Sequence, residues 1–246
     1  MILEEPPIGL LEKASLFLDF DGTLVDFADR PDAVHLDPAM IVILERLQQQ
    51  LEGRLAVLSG RALDDIRAFL DPLRMPVAGS HGLERADSEE QAPDPILSDE
   101  LVEAIDQLRA FAATLPGLLV ETKPMSVALH FRTNPQAERA CLEAVEAVAR
   151  STGLVIQPGN KVFELKPVEG DKGSALEQFM AEPPFAGSRP IFLGDDLTDE
   201  HGFLAARRFG GSGVLVGDPR DTAASYRLAN VAAVHAWLRA ASEALA

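Results

Sequence analysis

Residues 16–27 read LFLDFDGTLVDF. An apolar run meets two aspartates, Asp19 and Asp21, two positions apart, and then Gly22, which permits a tight turn. Like charges this close raise each other's pKa and cost stability unless a cation or a shared proton offsets them. The run 16–20 predicts a short buried strand, and its carboxyl end is where open α/β sheets bind ligands. In an extended strand, residues two apart point to the same side, so the spacing predicts that both carboxylates face one cleft.

The pattern on either side decides the fold class. Helical spacing over 37–52, a buried strand over 54–59, a helix over 61–70 and a strand over 75–79 alternate as parallel β-α-β units do. The end of the chain repeats this, with a helix over 171–180, a strand over 190–194, a helix over 198–209, a strand over 213–216 and a helix over 231–245. The middle differs. A helix over 98–115 precedes strands over 118–123 and 125–132 with Pro124 at their turn; a helix over 135–152 precedes strands over 153–159 and 161–167. Val127, Leu129 and Phe131 share one strand face, while Ser126, Ala128, His130 and Arg132 share the other. Such one-sided sheets are typical of antiparallel α+β units. The expected architecture is an α/β, Rossmann-like parallel-sheet core of residues 1–84 and 168–246, interrupted by a smaller α+β domain over 85–167. The polar stretch from Arg85 to Pro95 reads as an exposed loop or a domain crossing.

Composition narrows the partners. Hydrophobic residues make up 47% of the 246, enough for a sizeable core. A formal net charge of -17 argues against nucleic acid and against an anionic membrane surface. An anionic substrate then requires locally concentrated cations or a metal. The single Cys141 excludes an internal disulfide and fits a reducing compartment; within its helical pattern it reads as core filler. No apolar run is long enough to span a bilayer, and the N-terminus lacks a signal-peptide pattern, so a cytoplasmic location is expected.

A second acidic cluster ends another apolar strand, in IFLGDDLTDE (191–200). Thr198 suits a helix N-cap, and Asp199 and Glu200 suit a first helical turn, which leaves Asp195 unexplained. Two strands that both end in acid suggest one hard cation between them, Mg²⁺ with oxygen ligands and retained waters. In VLSGR (57–61), Ser59 stands at a strand end before a helix, as an anion contact or as a simple N-cap. In EGDKGSAL (169–176), Lys172 falls in a first helical turn, where a cation opposes the helix dipole unless an anion is near.

DFDGTL, LSGR, the Lys172 segment and GDDLTDE occur in the order and setting of the haloacid dehalogenase-like (HAD) phosphatases, which the chain resembles. GSHGLE (79–84), ETK (121–123), HFR (130–132), VFELKP (162–167) and TAASYRL (222–228) narrow the resemblance to trehalose-6-phosphate phosphatases, from about residue 15 to the C-terminus. The resemblance implies a HAD core with an inserted C2-type cap over 85–167. It implies Asp19 as nucleophile and Asp21 as general acid and base, with Ser59 and Lys172 on the phosphate oxygens. Mg²⁺ would be held by Asp19, the backbone carbonyl of Asp21, and Asp195, and Asp196 and Asp199 would steady Lys172 or the metal's surroundings. Substrate contacts would come from Asp19, Phe20, Asp21, Gly60, Arg61, His81 and Asp195 in the core, and from Glu121, Lys123, His130, Arg132 and Glu164 in the cap. The implied partner is a phosphorylated disaccharide, and a monomer or weak dimer is expected.

Two places depart from the family pattern. Asn160 stands where a lysine often follows the glycine, with Lys161 one residue later. Glu200-His201 replaces a common acidic pair, and His201 is expected on an exposed helix face. Two other readings stay open: a phosphatase for another sugar phosphate, of the sucrose 6-phosphate or mannosylglycerate phosphate type, and a catalytically silent sugar-phosphate sensor. The Glu121–Lys123 and His130–Arg132 pattern argues against the first. The joint presence of Asp19, Asp21, Lys172 and Asp195 argues against the second.

Overall fold

The computed structural model describes residues 3–26, 34, 36–86, 98–123, 125–159, 161–167 and 170–246. The chain divides into two compact units, residues 1–92 with 171–246, and residues 93–170. The strands are β1 (Ala14–Leu18), β2 (Leu55–Leu58), β3 (Val77–Gly79), β4 (Glu84–Ala86), β5 (Leu119–Thr122) and β6 (Val127–His130). They continue with β7 (Val155–Gly159), β8 (Val162–Lys166), β9 (Arg189–Gly194), β10 (Ser212–Val216) and β11 (Tyr226–Leu228). The α-helices are α1 (Pro38–Gln50), α2 (Leu63–Leu70), α3 (Asp99–Ala112), α4 (Glu138–Thr152), α5 (Lys172–Met180), α6 (Asp199–Arg208) and α7 (Val231–Ala244). Among the described residues, no helix is long and apolar enough to cross a membrane.

The first unit is a seven-stranded sheet in the order β11-β10-β9-β1-β2-β3-β4. All its pairings are parallel except β3 with β4. Every residue of β1 is buried, because a central parallel strand is covered on both faces and so must be apolar throughout. Strand order runs outward from β1 in one direction and from β9 in the other. The crevice between their carboxyl ends is therefore the topological switch point. Leu18 is paired with Leu193, and the Asp19 N–H continues the ladder to the Leu193 carbonyl (2.9 Å). That register sets the residues after β1 beside the residues after β9.

Three local expectations change. The first strand ends at Leu18 and not at residue 20, so strand alternation does not aim Asp19 and Asp21. Arg85 and Ala86, read as loop, pair with β3, and Ala86 is buried. The second compact unit is residues 93–170, where the sequence suggested 85–167. The rest of the Arg85–Pro95 stretch lies outside the described residues, as does Pro124.

The second unit is an antiparallel sheet, β5-β6-β8-β7, with α3 and α4 on one face. Val127, Leu129 and Phe131 pack with Leu101, Leu108 and Val145 into its own core. Cys141 sits fully buried in the same core, and burial pushes its thiol pKa up, as suits an inert filler.

Candidate active site

The turn after β1 delivers Asp19 into the interior. Asp19 is 4% exposed, and its Oδ1 accepts from Lys172 Nζ at 2.6 Å. The same ammonium reaches Asp199 Oδ1 at 2.5 Å. Lys172 opens α5, whose N-cap Asp171 and Ser174 form a reciprocal capping box, so a lysine in the first turn is held despite the helix dipole. Burial works against the Lys172 ammonium, but Asp19 and Asp199 outweigh it and hold its pKa above the usual lysine value. Burial also raises Asp19 well above the ordinary carboxylate range. Lys172 opposes that rise, and Asp199 and Asp195 add to it.

Asp195 follows β9, and burial lifts its carboxyl to about 6. Among the described residues its Oδ1 is buried without a hydrogen-bond partner. Two glycines make room for these acids. Gly22 lies at φ +81°, and a Cβ there would come within 2.3 Å of Asp195 Oδ2. A Cβ at Gly194 would come within 2.4 Å of Asp199 Cγ.

Asp19, Asp195 and Asp199 each offer an oxygen within 4.8 Å of the others. Three carboxylates against one ammonium leave two negative charges, which a divalent cation matches. The orphaned Asp195 oxygen is the clearest sign of fit, since a buried unpaired acceptor is costly without a ligand. Asp199 is the poorer donor. Its Oδ1 serves Lys172, and its Oδ2 accepts the Asp196 N–H at 2.9 Å.

Asp21 belongs to a neighbouring arrangement. Arg61 forks its carboxylate at 2.6 and 2.7 Å, and the guanidinium lies 5.0 Å from the Phe69 ring centroid and 5.6 Å from that of Phe20. Ser59 is buried at the end of β2, and its Oγ accepts the Arg61 N–H at 3.1 Å, which leaves the hydroxyl proton to donate. Ser59 is not the N-cap of α2; Ala62 is.

The remaining expected residues divide as follows. The ring of Phe20 is fully buried against Phe69, so contact with a ligand falls to its backbone. Gly60 is exposed beside Ser59. The side chain of His81 lies outside the described residues. Asp196 is exposed and caps the Leu197 N–H at 2.6 Å, so Asp199, not Asp196, orients Lys172. Thr198 makes no side-chain cap. His201 is exposed as expected, yet its Nδ1 lies 3.1 Å from Asp171 Oδ2.

In the second unit, Lys123 Nζ lies 3.2 Å from both oxygens of Glu164, to which the buried Ser126 hydroxyl also donates. His130 Nε2 is 2.7 Å from Glu121 Oε2. Arg132 lies past the end of β6 and is exposed. Gly159 pairs with Val162, and Lys161 is exposed at φ +59°. Asn160 lies outside the described residues.

A family profile described as trehalose-phosphatase matches residues 17–232. The chain belongs to the trehalose-phosphatase family. Trehalose-6-phosphate phosphatase of Escherichia coli is 39% identical over 245 residues, spanning 99% of this chain and 91% of that protein. A probable trehalose-phosphate phosphatase of Sinorhizobium fredii is 37% identical over 211 residues, with 85% and 80% covered. Among solved structures, the C-terminal domain of C. albicans trehalose-6-phosphate phosphatase superposes with a TM-score of 0.78 and covers 98% of each chain; at 21% identity it shows the fold. The fold on which Asp19, Lys172 and Asp195 are set here is thus also found in that solved domain.

Proposed function

We propose that this chain is a Mg²⁺-dependent phosphatase that hydrolyses trehalose 6-phosphate to trehalose and phosphate. The observation that carries this reading is the buried Asp19–Lys172–Asp199 chain beside the unpaired oxygen of Asp195. Asp19 attacks phosphorus, forming an O–P bond as the bond to the sugar oxygen breaks, and becomes an aspartyl-phosphate. Asp21, released from Arg61 on substrate entry and protonated from solvent, gives that proton to the leaving sugar oxygen. It then takes one from the water that hydrolyses the aspartyl-phosphate, which releases phosphate and restores Asp19. Such acid–base help is worth about 10²–10⁴ in rate.

Lys172 has spent two of its three N–H groups on carboxylates; the third and the Ser59 hydroxyl bind the phosphate oxygens. Arg61 holds Asp21 in a fixed orientation until substrate enters. Asp19, Asp195 and the Asp21 carbonyl would hold a Mg²⁺, which would supply charge neutralisation at the transferring group. Glu121, Lys123, His130, Arg132 and Glu164, in a cap formed by the second unit, recognise the sugar hydroxyls. A cytoplasmic location fits the lone buried thiol.

The test is phosphate release from a panel of sugar phosphates, with Mg²⁺ and with EDTA. Trehalose 6-phosphate is expected to be the preferred substrate, turnover to stop in EDTA and return with Mg²⁺, and Asp19→Asn to be inactive. A preference for sucrose 6-phosphate would move the substrate within the phosphatase class. Activity in Asp19→Asn would end the covalent reading.

A further inference from the structure

The loop after β10 is fastened to the Asp195 turn by one side chain. Arg220 Nη2 donates to the carbonyls of Asp195 (3.3 Å) and Asp196 (2.8 Å). Its Nη1 pairs with Glu200 Oε1 and lies 3.4 Å from the Asp221 carbonyl. Glu200, in the first turn of α6, uses its other oxygen to accept the Ala223 N–H at 2.7 Å. Glu200 thus grips both the arginine and the backbone of the loop that carries it. The two side chains are 24% and 21% exposed, so the pair is better shielded from water and salt than an ordinary surface ion pair.

The Asp195 turn needs such a hold because one flank of it is open. A cavity of about 420 Å³ lies there, lined by Gly22, Asp26, Asp195, Asp218, Arg220 and Asn230 among others. A turn beside a void lacks the packed neighbours that fix side chains elsewhere in an interior. A planar guanidinium, anchored at one edge by Glu200, supplies a rigid fork in place of packing. We propose that Arg220, oriented by Glu200, is a positioning residue that sets the Asp195 carboxylate for cation binding. The inference rests on reading Asp195 as a cation ligand. Groups that orient a ligand from behind cost about 10–100-fold in metal affinity when removed.

The experiment is Mn²⁺ binding to the substrate-free protein by titration calorimetry and electron paramagnetic resonance, alongside melting of the cation-free protein. Asp195→Asn, Arg220→Ala, Arg220→Lys and Glu200→Gln are compared with the wild type. Arg220→Ala is expected to weaken Mn²⁺ binding by about 10-fold or more while the cation-free melting temperature stays near wild type, with Arg220→Lys in between, since an ammonium cannot fork. Unchanged Mn²⁺ affinity in both arginine variants overturns the proposal. So does a loss of affinity that merely tracks a lost melting temperature. If Arg220→Ala fails to fold, Arg220→Lys and Glu200→Gln, which keep the bulk, decide by the same criterion. Wild-type Mn²⁺ binding in Asp195→Asn sinks the cation reading itself, which separates the two failures.

Discussion

Lys172 carries one positive charge into a place where three carboxylates meet. Its two bonds, to Asp19 and Asp199, are nearly out of water at both ends. Removing one partner of a buried pair leaves charges that neither solvent nor protein compensates, a loss of about 3–5 kcal/mol. Lys172→Met, which keeps the volume, is expected to lose that much stability in urea unfolding at neutral pH with EDTA present. The loss depends on pH in a definite direction. Without the ammonium, Asp19 rises further above the unfolded value, so the folded variant binds protons that the unfolded chain does not. Its deficit shrinks as pH falls toward the ordinary carboxylate range. A small, pH-independent deficit would mean that these charges are not buried as a pair. The sequence already marked Asp19, Lys172 and Asp195, because each breaks a local rule unless a ligand or counter-charge is present. It did not distinguish Asp199 from Asp196 as the partner of Lys172. That choice rests on the bond from the Asp196 N–H to Asp199 Oδ2, which turns one acid inward and leaves the other outside. Nor did it mark Arg220, whose partners are backbone carbonyls about 25 positions away.

At the scale of elements, the helices and longer strands were legible because their hydrophobic periods differ and they alternate. The short strands β4 and β11 were not, since each carries polar residues and only one fully buried position, whereas the equally short β3 is apolar and buried throughout. The end of β1 was misplaced by two residues because Phe20 extends the apolar pattern past Asp19, whose N–H still bonds the Leu193 carbonyl although the regular strand ends at Leu18. The turn that follows depends on Gly22 in two ways that can be separated. Gly22 lies at φ +81° with Asp195 in the space of its missing Cβ; Gly187 lies at φ +80° with nothing within 4 Å. An L-residue at such an angle costs about 1–2 kcal/mol wherever it stands. Gly22→Ala and Gly187→Ala are therefore expected to share that loss of stability in denaturant titrations, while Gly22→Ala alone loses Mg²⁺-dependent phosphate release. Equal activity in the two variants would show that Gly22 serves the bend and not the position of Asp195.

At the scale of the whole molecule, each of the two units has its own hydrophobic clusters, and the interruption of one by the other was visible as a change from parallel to one-sided patterning. The first unit holds groups that could serve any phosphorylated alcohol. On the proposed function, discrimination then falls to polar groups that meet the sugar, because a buried polar group left unpaired by the wrong substrate penalises it strongly. Lys123 and Ser126 both donate to Glu164, so the three are expected to act as a unit. Lys123→Ala and Glu164→Ala should each lower kcat/KM for trehalose 6-phosphate by roughly 10–150-fold, and the double variant should fall little further, since groups in one network are not additive. Hydrolysis of p-nitrophenyl phosphate, which has no sugar for these residues to meet, should continue nearly as before in all three variants. If both substrates declined together, the network would be holding the fold of the second unit, which the melting temperatures of the same variants would reveal. If neither declined, the sugar would be recognised elsewhere, and the polar face of this sheet would be a solvated surface.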